Sequence, residues 1–153
     1  MDSRMYPVGK TSPKSRPISG VNVDFGVLKN KRIRLTLAQY NAGYAVLPAL
    51  PGVKWQIFSS AMIAITGNAA IGDSVDLAGT RAGAAVLLAV NAIAGLTRNA
   101  LLRMGSTDSA ILADGASFTP LDSNTAVTVT TAGSPMTTMA SLDVLLTYMA
   151  VQA

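Results

Sequence analysis

Eight cations fall within the first thirty-four residues: Arg4, Lys10, Lys14, Arg16, Lys29, Lys31, Arg32 and Arg34. The acids there are Asp2 and Asp24, which leaves a local balance of +6, while the rest of the chain is at −2. Cations at this density bind carboxylates or phosphates. Against nucleic acid, only Tyr6 and Phe25 interleave as aromatics, and no base-reading module follows. A solvated tail is the bland alternative. The reading preferred over both is a basic arm that docks on an acidic protein surface.

Other chemistry is thinly provided. The chain has no histidine and no cysteine, so zinc sites, Ser-His-Asp triads, Cys-His dyads and disulfides are all excluded. Asp73 and Asp76 stand three apart. On a strand that separation points them to opposite faces, so they read as turn and edge residues rather than as a carboxylate pair. Asp108, Asp114 and Asp122 sit beside Gly or Ser, where an aspartate usually accepts from nearby backbone amides. The glycines of TGNAAIG, Thr66 to Gly72, match no phosphate loop. The expectation is a protein with no catalytic residues, no metal and no cofactor.

The elements that must carry the cations are constrained by composition. Hydrophobic residues make up 50% of the chain but aromatics only 5%, so small aliphatics fill the core. Only 13% of residues are charged, about half the usual share, and glutamate is absent. A surface so poor in charge suits a subunit covered by partners. The most apolar stretch, residues 82–97, is short for a membrane span and holds Asn91 at its middle. No signal-peptide pattern opens the chain, so the protein is expected to stay where it is made, in the cytoplasm, with no membrane association.

Residues 1–30 are rich in Pro, Gly and Ser and read as an extended arm, ordered by lying on another surface. Residues 31–153 read as one body. In KRIRLTL, Ile33, Leu35 and Leu37 alternate with Arg32, Arg34 and Thr36, the period of a half-buried strand. TAVTVTT repeats the pattern at Val127 and Val129. SLDVLLTYMAVQ sets Leu142, Val144, Leu146 and Tyr148 against Ser141, Asp143 and Thr147. Trp55 opens a long central strand and is the expected core anchor, whereas Pro48, Pro51 and Gly52 end a short edge segment. The Ala-rich run from Ala82 to Ile93 is compatible with helix, but its length and flanking glycines favour strand. Short strands at near-regular spacing predict an all-β fold: an antiparallel β-sandwich or jelly-roll-like domain with an extended N-terminal arm.

The run LTLAQYNAGYAVLPALPGVKWQI, followed by GNAAIGDSVDLAGT and the terminal SLDVLLTYMAV, resembles small structural proteins encoded beside the capsid genes of tailed bacteriophages. In those chains an A-x-x-N-A-G segment and a V/L-L-P-A-x-P-G segment open a small all-β domain, and an Asp-Val-x-x-x-Tyr strand closes it. The resemblance implies a decoration or cement protein on the capsid surface. Its partner would be the major capsid protein, and it would form a homo-oligomer, with a trimer favoured. A tail, baseplate or fibre-base protein of the same virion is the alternative. A carbohydrate- or nucleic-acid-binding sandwich is a second one, weakened because little besides Trp55 could stack on a sugar. The arm lies outside the resembling region, and its docking role rests on charge alone.

Overall fold

The computed structural model describes residues 15–18 and 21–153. The strands are β1 (Ser15–Ile18), β2 (Val21–Asp24), β3 (Leu28–Thr36), β4 (Tyr44–Leu47), β5 (Val53–Ala64), β6 (Ser74–Arg81), β7 (Ala84–Ala92), β8 (Leu101–Arg103), β9 (Ser109–Ala110), β10 (Val127–Ala132) and β11 (Ser141–Gln152). Among the described residues one α-helix, α1 (Leu37–Ala42), interrupts them. β1 and β2 form a hairpin, and the other strands make two antiparallel sheets ordered β4-β10-β6-β7-β9 and β3-β11-β5-β8. The inner faces share one core, with Leu35, Met62, Leu142 and Val144 from the four-stranded sheet and Val46, Leu77, Leu88, Val127 and Val129 from the five-stranded sheet. The protein is an all-β sandwich.

β3 begins at Leu28, so Lys29 and Asn30 belong to the body's first long strand rather than to the arm. The strand ends one residue earlier than its alternation suggests, because Thr36 caps a helix. The Thr36 hydroxyl accepts from the Gln39 amide at 3.4 Å, and the Gln39 side chain accepts from the Thr36 amide at 2.9 Å. This reciprocal T-x-x-Q cap turns Leu37 from a strand residue into the first residue of α1. Gly43, at φ 81°, ends the helix. Tyr40 is fully buried and donates its hydroxyl to the Met139 carbonyl. The Asn41 amide donates to the Met136 carbonyl at 2.9 Å and accepts from its N–H at 3.0 Å. α1 thereby holds the loop that leads into β11.

The ambiguous Ala-rich run is strand β7, joined to β6 through Ala82 and Gly83 at φ 50° and 75°. Two positive-φ residues form the tight turn whose twist matches paired strands. Asp122 secures it, accepting from both turn amides at 2.9 Å. Those bonds, the one from Gly83 foremost, hold its carboxyl below the usual range. β4 is an edge strand ended at Pro48, as its prolines require.

Candidate interaction surface

The cations singled out in the sequence divide into separate groups. Arg4, Lys10 and Lys14 lie outside the described residues, and Arg16 sits on β1 opposite Val23. Lys29, Lys31, Arg32 and Arg34 lie on β3, an edge of the four-stranded sheet. Alternation sends them two ways. Lys29 and Lys31 lean toward the sandwich edge, where the Lys29 ammonium pairs with Asp24 at 2.8 Å and Lys31 donates to the Val46 carbonyl at 2.8 Å. Arg32 and Arg34 stand on the outer face.

There they enclose Asp143. β11 pairs with β3 so that Asp143 faces Arg34 directly and Leu145 faces Arg32. Arg34 grips the carboxylate with Nε at 2.6 Å from Oδ1 and Nη2 at 3.0 Å from Oδ2. Arg32 adds Nε at 2.9 Å from Oδ2 and a second bond through Nη2. The Asp143 side chain has no solvent exposure, while the arginines remain 61% and 58% exposed. Hydrogen bonds from Arg34, then those from Arg32, hold the Asp143 carboxyl below its ordinary range despite its burial. One charge is hidden and two are displayed.

Below this edge lies the expected anchor. Trp55 is 5% exposed, meets Tyr148 edge to face at 5.7 Å and 78°, and donates its indole N–H to the Pro48 carbonyl at 2.8 Å. Such a ring pair contributes about 0.5–1.5 kcal/mol beyond its burial. A notch of about 240 Å³ opens over Trp55, Leu50 and Val23, with the Asp24–Lys29 pair at its mouth. Val23 belongs to the core and Gly26 donates to the Ala150 carbonyl at 2.9 Å, so the hairpin is attached to the body.

Two aspartates depart from their expected roles. Asp76 is not an edge or turn residue: it lies on β6 between β10 and β7 and is only 5% exposed. Burial pushes its carboxyl up, with the Ser74 hydroxyl opposing, and one oxygen has no hydrogen-bond partner among the described residues. Asp73 precedes β6, so the two aspartates do not share a strand. Asp143, assigned by pattern to a polar outer face, is on that face but dry. Its signal in the sequence was a lone acid on the polar side of the last strand, matched to the Arg-x-Arg alternation of β3. Asp114 behaves as expected, accepting from the Ala116 amide at 2.8 Å.

Charge separates the two sheets. The four-stranded sheet holds Lys29, Lys31, Arg32, Arg34, Lys54 and Arg103 against Asp143 alone. The five-stranded sheet holds only Arg81, at the end of β6, and Asp76. No group of three or more acidic residues that could hold a metal ion occurs among the described residues. No helix of the described chain is long and apolar enough to cross a membrane. Comparisons with protein-family models, curated proteins and solved structures returned no match.

Proposed function

We propose that the protein is a non-enzymatic structural component of a tailed-phage virion, a decoration or cement protein that bridges major capsid protein subunits from the outside of the shell. The observation that carries this reading is the concentration of cations on one sheet and on the arm that leads into it. Arg32 and Arg34 are pre-ordered by Asp143, so two guanidinium groups are offered to carboxylates at reduced entropic cost. A second protein that spans neighbouring subunits adds contacts that must break before the subunits part. The phage-like segments from Leu35 to the C-terminus support the virion assignment, and a homotrimer suits a site where three capsid subunits meet.

The test is co-sedimentation with shells assembled from the cognate major capsid protein. The arm can be removed through residue 14 without touching Val23 or β3, whereas removing residues 1–30 would cut into both. The full chain is expected to pellet with shells in hundreds of copies per particle, and the chain lacking residues 1–14 to bind at least tenfold more weakly while its melting temperature is unchanged. Absence of the full chain from the shell pellet would overturn the proposal.

A further inference from the structure

A groove of about 440 Å³ crosses the outer face of the four-stranded sheet. It opens where β5 slips register against β11 between Thr147 and Tyr148, a bulge that leaves Phe58 unpaired and 38% exposed. The register lines up four residues in a row across the strands. Arg32 faces Leu145, Leu145 faces Ala61, and Ala61 faces Arg103. The row reads cation, aliphatic, aliphatic, cation. Leu101, 45% exposed, walls the groove beside Arg103.

We infer that this row is a docking site for an extended acidic segment of a partner protein, with an aliphatic side chain seated on Leu145 and Ala61 and a carboxylate at each end on Arg32 and Arg103. Three inter-strand steps separate the two arginines, roughly 14 Å at the usual strand spacing. In an extended peptide that distance corresponds to about four residues, so the acids stand at i and i+4 with the aliphatic at i+2, all on one face. Charge selects the occupant. The sheet's lone acid is already held by two arginines, and the chain's own arm carries Arg4, Lys10 and Lys14, so the arm of a second copy would be repelled. A floor lined by Ala61, Leu101 and Leu145, with no aromatic ring among the lining residues, favours a protein segment over stacked bases. The inference stands on this face alone, whatever particle the chain belongs to.

The probe is a blocked peptide with an Asp-Ser-Leu-Ser-Asp core, titrated into the full-length ¹⁵N-labelled protein and followed by amide shifts. Shifts are expected at Ser59, Ala61, Leu101, Arg103 and Leu145, and affinity should fall at least fivefold when both peptide acids become Asn or when Arg103→Glu is introduced. Ser59→Asp, at an exposed position with no side-chain bond of its own, is a second variant with the same expected loss. Shifts confined to the Trp55 notch, or equal binding by the parent protein and both variants, would overturn the inference. So would tighter binding of oligothymidine at the same residues, which would assign the row to phosphates, or concentration-dependent loss of these signals without peptide, which would assign it to a second copy.

Discussion

The two sheets each bury one aspartate away from the shared core, and they treat it in opposite ways. On the four-stranded sheet, Asp143 is dry yet charged, because two arginines donate to it at 2.6–3.0 Å. On the five-stranded sheet, Asp76 has lost solvent without gaining a cation, and its carboxyl is pushed up rather than down. Burial penalises both. Only the partners differ, and the partners follow from which strand lies next door: β3 brings Arg32 and Arg34 to Asp143, while β10 and β7 bring Thr130 and Val90 to Asp76. The difference makes one sheet a cationic surface and the other a nearly neutral one.

The largest expected effect comes from removing what makes the first aspartate tolerable. Arg32→Met with Arg34→Met leaves the Asp143 carboxylate buried without a partner, and the melting temperature should fall by roughly 10 °C. Adding Asp143→Leu should recover most of that loss, since replacing a whole buried ion cluster with apolar groups is often neutral. Failure of the triple variant to recover would show that the arginines act through something other than Asp143.

A middle-sized effect should appear with opposite signs on the two sheets. Asp143→Asn should destabilise by about 1–2 kcal/mol at pH 7, a figure reduced because the arginines can return to water. Asp76→Asn should raise the melting temperature by about 1–3 °C, because it removes a charge that burial disfavours. Denaturant melts of both variants check the pair, and equal signs would show that the two sheets treat their aspartates alike.

The pH dependence follows the same division. The Asp143 carboxyl lies below its ordinary value of 3.8 in the folded protein, so its stabilisation is present above pH 3.8 and is lost as pH falls through the lowered folded value. Asp76 lies above 3.8, so the stability linked to its proton is present below pH 3.8 and is lost as pH rises through the raised value. Stability of the parent protein minus that of each Asn variant, measured between pH 3 and 8, should slope upward with pH for Asp143 and downward for Asp76.

The smallest effect is a control. Leu87 on β7 is 43% exposed, close to the 45% of Leu101 on β8. Leu87→Ser should change the melting temperature by no more than about 1–2 °C and leave peptide and shell binding untouched, whereas Leu101→Ser should weaken peptide binding severalfold.

Alternation made the sandwich readable in the sequence. Leu35, Val127, Val129, Leu142 and Val144 face the core as their period of two demands, and Trp55 is buried, although its strand opens two residues earlier, at Val53. The glycines around the Ala-rich run correctly favoured strand over helix there. Local chemistry overrode the pattern at Thr36 and Gln39, whose cap converts Leu37 to helix. The surface was harder to read, because its meaning depends on pairing between residues more than a hundred positions apart. Asp143 could be placed on a polar face, but not under Arg32 and Arg34, until β3 and β11 were in register. The Arg32–Leu145–Ala61–Arg103 row needs three registers, the first of them across more than a hundred positions, and the bulge at Phe58, and no single strand contains that information.

The most direct test is a cryo-electron microscopy reconstruction of cognate shells saturated with the full chain. Density is expected on the outer surface with the four-stranded sheet turned toward the capsid subunits and Arg32 and Arg103 within reach of their carboxylates. A particle bound through the neutral five-stranded sheet, or a shell with no added density, would contradict it.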